Sequence, residues 1–174
     1  MLTIIKTLLD VNAIEQGKII LNIDEIDLIN NLNEIIAANI DKAKNKNINL
    51  QMNVASENTK GFADSNSFTQ ILDNLVSNAI KFSPQGKNIF VTLERHGDFL
   101  RCAVKDEGPG LSEEDKKKLF GKFAKLSARP TGGEHSTGLG LSIVKKLIEM
   151  MKGKVWCESE IGNGAQFIVE IPAV

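Results

Sequence analysis

Residues 71–84 read ILDNLVSNAIKFSP, and the fold turns on how that stretch is placed. Stepping about 100° per residue around Leu75 gathers Phe68, Ile71, Leu72, Val76 and Ala79 into one broad apolar face. Asn74, Asn78 and Lys81, spaced by four and three residues, stack in a polar stripe along the edge of that face. The pattern predicts a helix capped at Asp64 or Ser65 and running to about Phe82, with Pro84 barring its continuation. Two readings of the stripe carry equal weight. Its amides bond nearby backbone while the lysine reaches out to water, or the stripe is there to touch a ligand.

Working outward toward the N-terminus, residues 1–16 (MLTIIKTLLDVNAIEQ) are helical in character and end before Gly17. Leu2, Ile5 and Leu9 mark one stripe, and Ile4, Leu8 and Val11 widen it beyond what a solvated helix tolerates. A helix of about four turns is marginal alone in water, so this one needs a partner. KIILNIDEIDL reads as extended, and helical apolar spacing at Ile29, Leu32, Ile35 and Ile36 predicts a helix from about Leu28 to Lys46. INLQMNV alternates like a half-buried strand, and KGFAD is a short extended piece. Downstream, NIFVTLERHGDFLRCAVKDEG reads as a hairpin turning near His96 to Asp98, SEEDKKKLF as a short helix, and GLGLSIVKKLIEMM as a helix entered through glycines. GKVWCESE and AQFIVEIP are two strands joined at Gly162-Asn163-Gly164. Strands and helices mix without regular alternation and hairpins are common. The expected fold is therefore an α+β sandwich with a largely antiparallel sheet rather than a doubly wound one.

With 174 residues the chain has room for one well-buried domain and an appendage. A composition of 42% hydrophobic and 25% charged residues with net charge −1 is that of a soluble globular protein. The near-neutral balance argues against a nucleic-acid surface. Lys116, Lys117 and Lys118 follow Glu113, Glu114 and Asp115, which is charge ordered to suit a helix dipole. Cys102 and Cys157 lie in apolar, strand-like runs without metal or redox spacing, and are expected to be reduced core residues of a cytosolic protein. No apolar stretch approaches the ~20 residues that cross a bilayer, and no signal-peptide pattern opens the chain. The two histidines, His96 in the hairpin turn and His135 further on, are expected to be ordinary polar loop residues.

Two glycine motifs bear on the stripe. In VKDEGPGL a strand ends at Asp106, with Gly108 and Gly110 following. Glycine permits positive φ and leaves room for a flat group near the backbone, and the aspartate can accept a hydrogen bond from an amine such as an adenine edge offers. A plain Asp-Gly turn would read the same. In HSTGLGLSIVKKL, Gly138 and Gly140 stand just before a helix, whose free N–H groups make an anion site suited to phosphates. Each motif alone is weak; the three features in this order are strong.

On these residues the chain resembles the catalytic, ATP-binding domain of sensor histidine kinases, in the GHKL superfamily that also includes DNA gyrase and mismatch-repair ATPases. NLVSNAIKFSP is similar to the family's N box, DEGPG to its G1 box, LFGKF to its F box and TGLGLSIVKKL to its G2 box. The likeness runs from about Asp24 to Pro172. It implies the Bergerat fold, a two-layer α/β sandwich with a mixed, mostly antiparallel sheet packed on helices, and a mobile ATP lid at about residues 121–137. It implies ATP and Mg²⁺ as cofactors. Asn78 would hold the metal, with Asn74 and Lys81 beside the phosphates as the catalytic group. Phe82 would lie by the nucleotide, Asp106 would receive the adenine amine, and Gly108 and Gly110 would shape that pocket. Thr137, Gly138, Leu139, Gly140 and Leu141 would belong to the lid's closing segment. Phe120 and Phe123 are similar to the F-box pair, or simply fasten the lid base to the core.

One position bears on reaction type. Superfamily members that hydrolyse ATP place a glutamate one turn before the metal-binding asparagine, and here that position is Asn74. An amide cannot take the proton from water, so transfer to a better nucleophile is favoured. Ala165 departs from the serine or threonine that often follows the last GxG, with little consequence expected. The family's phosphoacceptor histidine motif is not found; LLDVNAIEQGKI is similar to the last turns of its hairpin. The expectation is therefore residues 1–23 as hairpin end plus linker and residues 24–174 as the catalytic domain of a longer kinase, membrane-associated or soluble. The expected partners are the absent phosphoacceptor domain and a response-regulator receiver domain, with no nucleic acid and no membrane contact. The fragment is expected to be a cytoplasmic monomer, the full-length kinase a dimer. A stand-alone serine kinase of anti-sigma-factor type, a nucleotide-gated interaction module and a hydrolysing switch are the alternatives, the last disfavoured by Asn74.

Overall fold

The computed structural model describes residues 2–174, with side chains from residue 5 onward; Met1 and the Leu2 and Ile4 side chains of the expected stripe lie outside the described residues. The elements follow in the order α1 (Leu2–Glu15), β1 (Asp24–Asp27), α2 (Leu28–Asn45), β2 (Asn49–Val54), β3 (Lys60–Ala63), α3 (Ser65–Phe82), β4 (Asn88–His96), β5 (Phe99–Asp106), α4 (Glu113–Lys118), α5 (Gly140–Met150), β6 (Lys154–Ser159) and β7 (Ala165–Pro172). Five strands form one sheet in the order β2-β4-β5-β7-β6, and β1 pairs antiparallel with β3 in a second, small sheet. Within the large sheet β2 runs parallel to β4 and all other pairs are antiparallel. The expected α+β sandwich with a mixed, mostly antiparallel sheet is the fold observed.

Period-2 alternation puts Ile89, Val91 and Leu93 of β4, Leu100, Cys102 and Val104 of β5, and Phe167, Val169 and Ile171 of β7 on one buried face. Against it pack Leu28, Leu32 and Ile35 of α2, Phe68, Ile71, Leu72, Leu75 and Val76 of α3, and Ile143, Val144, Leu147 and Ile148 of α5. α3 is the central helix, touching α2 on one side, α5 on the other and β5 beneath. Its start is fixed by Asp64, whose carboxylate accepts the Ser67 N–H at 2.8 Å. Two buried asparagines staple α2 to α3. Asn31 donates to the Ser65 carbonyl and hydroxyl and to Thr69, and Asn39 donates to Asp73 at 3.1 Å.

The needed partner of α1 is α5: Val11 is buried and Ile14 packs on the core, while Ile5 and Leu9 stay exposed. Cys102 is buried and Cys157 half-buried; burial pushes both thiols up to about 12, so neither is a reactive thiolate. His96 is the last residue of β4, with Nδ1 3.6 Å from Glu170, rather than a turn residue. No helix among the described residues is long and apolar enough to cross a membrane.

Candidate functional site

The polar stripe of α3 faces a cleft. Asn74, Asn78 and Lys81 are each half-buried, as their position on the edge of the apolar face requires. Opposite them runs the connection from α4 to α5, residues 119–139, which contains no strand and no α-helix. One end of the cleft is polar and is lined by Asn74, Asn78, Lys81, Phe123, Thr137, Gly138 and Gly140. The other is apolar, lined by Pro109, Gly110, Leu111, Ala165 and Phe167, with Asp106 at its back. Asn78, Phe82, Leu119, Leu126, Ala128 and Leu141 line both ends, so the cleft is continuous.

At the apolar end, β5 delivers Asp106 with the residue only 4% exposed. Its Oδ1 accepts the Gly108 N–H at 2.8 Å and the Ala165 N–H at 3.3 Å, leaving Oδ2 without a protein partner among the described residues. Burial pushes this carboxyl above its usual range, and the two backbone bonds offset only part of that. Because the Ala165 contact comes from its backbone, the lack of a hydroxyl there takes nothing from Asp106. The glycines crowd against the chain itself. A Cβ at Gly110 would lie 1.9 Å from the Glu160 carbonyl oxygen, with φ at +72°, and one at Gly108 would lie 2.8 Å from the Phe82 carbonyl oxygen. Gly110→Ala is therefore expected to destabilise the domain by about 2–4 kcal/mol. Thermal unfolding checks this, and a wild-type midpoint would contradict it.

At the polar end, Asn74 donates to the Gln70 carbonyl at 3.0 Å, and its Oδ1 would lie 2.6 Å from a Cβ at Gly140. Glycine at 140 thus lets the start of α5 close on α3. That helix begins without a side-chain cap, so among the described residues its first N–H groups have no partner and can meet an anion. The Asn78 amide makes no side-chain hydrogen bond, and the Lys81 ammonium has no carboxylate partner, among the described residues. Nor is there among them any cluster of three or more His, Cys, Asp or Glu that could hold a metal ion. A hard divalent cation here would draw on the Asn78 amide oxygen together with oxygens of a phosphorylated ligand and water, which suits Mg²⁺.

The structure thus brings Asn74, Asn78, Lys81, Phe82, Asp106, Gly110, Phe123, Thr137, Gly138, Gly140 and Leu141 to one cleft. Three expected residues stand off it. Phe120 turns into a separate groove with Val11 and Ile14 of α1 and Ile143 of α5, where its ring has apolar company. Leu139 is buried in the core, and Gly108 sits behind Asp106 as its hydrogen-bond donor. Sequence reasoning missed the groups that fasten the 119–139 connection. Asp115, 4% exposed, accepts from the Ser127 N–H at 3.1 Å and from the Ser127 hydroxyl. Thr131 donates to the Lys81 and Ser83 carbonyls, and Lys122 pairs with Glu15 of α1. Burial works against the Asp115 charge less than the Ser127 bonds favour it, so its carboxyl is held below the usual range.

A sequence model of the family described as histidine kinase-, DNA gyrase B- and HSP90-like ATPases matches residues 63–174. The circadian input-output histidine kinase CikA of Synechococcus elongatus is 35% identical over 175 residues, covering 99% of this chain and 23% of that protein. This chain therefore spans less than a quarter of that relative. Full-length ShkA solved in complex with AMPPNP superposes with a TM-score of 0.87 at 27% identity, over 99% of this chain and 36% of that one. Histidine kinase ThkA, solved in complex with the response regulator protein TrrA, has a TM-score of 0.79 at 32% identity, over 99% of this chain and 47% of that one.

Proposed function

We infer, because this chain belongs to the family of histidine kinase-, DNA gyrase B- and HSP90-like ATPases, that it is the ATP-binding catalytic domain of a two-component sensor histidine kinase. Its reaction moves the γ-phosphoryl group of ATP to a histidine on a separate phosphoacceptor domain, for relay to a response-regulator receiver domain. The observation that carries this reading is the continuous cleft, with the buried acceptor Asp106 at its apolar end and, at its polar end, amide, ammonium and helix N–H groups that have no partner among the described residues.

Position in the cleft supports a part for each residue. Oδ2 of Asp106 accepts a hydrogen bond from the adenine amine, while Phe82, Leu111 and Phe167 enclose the base. Lys81 and the N-terminus of α5 hold the phosphates, and Asn78 and Asn74 are the polar groups nearest to them. Asn78 would hold Mg²⁺, whose chemistry is to neutralise charge on the transferring phosphoryl group. Asn74, whose amide is tied back to Gln70, offers no base to a water molecule. Residues 121–137, within the connection from α4 to α5, form the lid that excludes water and commits the nucleotide. Residues 1–23 are the end of the phosphoacceptor hairpin and its linker, residues 24–174 are the catalytic domain, and this fragment is a monomer. The partners proposed here are supported by the names of the similar proteins, ThkA with its response regulator above all.

The test is transfer. With γ-labelled ATP and Mg²⁺, the chain alone should gain no label, and an added histidine-bearing hairpin should gain phosphate that is acid-labile and base-stable. Label on serine, or acid-labile, base-stable label on this chain by itself, would overturn the assignment.

A further inference from the structure

Helix α3 ends at Phe82, so its last carbonyls lack intrahelical partners and carry the negative end of the helix dipole. Lys46, the C-terminal cap residue of α2, supplies a partner from a different helix. Its ammonium donates to the Ile80 carbonyl at 2.8 Å, to the Lys81 carbonyl at 3.0 Å and to Glu134 Oε1 at 2.9 Å. All three of its donors are thereby used, on a side chain only 11% exposed. From the loop side, Thr131 sends its N–H to the Lys81 carbonyl at 2.9 Å and its hydroxyl to the Ser83 carbonyl at 2.7 Å. The other oxygen of Glu134 accepts the Gly132 N–H at 2.8 Å and closes the turn.

We propose that Lys46 is a positioning residue for the lid, joining residues 131–134 through Glu134 to the helix end that presents Lys81 to the phosphates. This rests on the reading of the cleft as an ATP site. The ammonium bridges two elements that both line the polar end, through Lys81 and Glu134, so it orders the second half of the lid before a nucleotide arrives. A lid ordered in advance loses less conformational entropy on binding, so the join appears as affinity for the phosphates. It does not touch the adenine end, where Asp106 sits on β5.

The experiment measures affinity for AMPPNP and for adenosine in Lys46→Met, Glu134→Gln and the double variant, with hydrogen exchange of the Thr131 amide. Each single change should weaken AMPPNP binding by roughly five- to tenfold and leave adenosine binding unchanged. The double variant should be no weaker than Lys46→Met, and Lys46→Arg should recover part of the loss. Exchange of the Thr131 amide should quicken by about tenfold in both single variants. Glu134 lies on the loop, so its variant retains the fold even where Lys46→Met does not. Additive losses, equal weakening of adenosine, or an unchanged Thr131 amide would overturn the proposal. If wild-type chain binds neither ligand, the ATP reading fails, and the exchange measurement alone decides whether the join exists.

Discussion

Replacing Asn78 by alanine is expected to weaken Mg²⁺-dependent binding of AMPPNP by at least ~10²-fold, since second-layer groups alone are worth 10–100-fold at metal sites. The prediction has a companion that separates function from folding. Asn78 is half-buried and its amide makes no hydrogen bond within the described chain, so the thermal midpoint should stay near wild type. Polar residues shielded in a helix interface bond something in the protein when they serve the fold. Asn31 and Asn39 are of that kind. Asn78 has no such bond, and a ligand is the reason this account gives. Calorimetry with and without Mg²⁺ measures the effect, and unchanged Mg²⁺ dependence would remove Asn78 from the site.

The second large effect belongs to Asp106. In Asp106→Asn the amide oxygen can take over the bonds from the Gly108 and Ala165 N–H groups, which turns an NH₂ group toward the cleft where an acceptor oxygen had been. Two donors would then oppose each other at the adenine edge. Discrimination of adenine from guanine nucleotides should fall by on the order of 10²-fold or more, because a site built around a hydrogen bond rejects strongly what cannot make it. Stability should move the other way. Burial raises the folded carboxyl above its unfolded value, so folding favours the protonated form. The cost of the ionised group is fully present above the folded value and disappears below the unfolded one. The amide variant should therefore be at least as stable as wild type at neutral pH and gain nothing in acid. Wild-type adenine affinity, by contrast, should fall as pH drops through the raised value, because a protonated Asp106 loses its free acceptor. A retained preference for adenine in Asp106→Asn would place recognition elsewhere.

The parts of the molecule legible in the sequence are those that depend on local period. α3 reads from Ser65 to Phe82 because its apolar face, its Asp64 cap and its Pro84 stop are all within the stretch itself. The stripe and the glycine motifs followed from that, since a polar edge on a buried helix and uncapped glycines before another helix are local facts. What could not be read depends on partners far along the chain. Asp115 looks like an ordinary first-turn acid of α4, and only folding puts Ser127 against it. Lys46 looks like one more lysine at a helix end, and its partners lie 34 and 88 residues away. Phe120 and Phe123 are three residues apart and chemically identical. Packing alone separates them, sending one into the α1 groove and leaving the other 60% exposed at the cleft. The glycines of the Asp106 turn carried a related ambiguity. Space for a ligand and space for the Glu160 carbonyl look the same in sequence, and at Gly110 it is the latter that forbids a side chain.

The central claim is that this cleft is a magnesium-dependent ATP site. Its most direct test is calorimetric titration of the unmodified chain with AMPPNP, in the presence of Mg²⁺ and again with the metal chelated. The account predicts binding at one site per chain, markedly weaker without the metal. A folded chain that takes up no nucleotide, or takes it up equally well in both conditions, would contradict it.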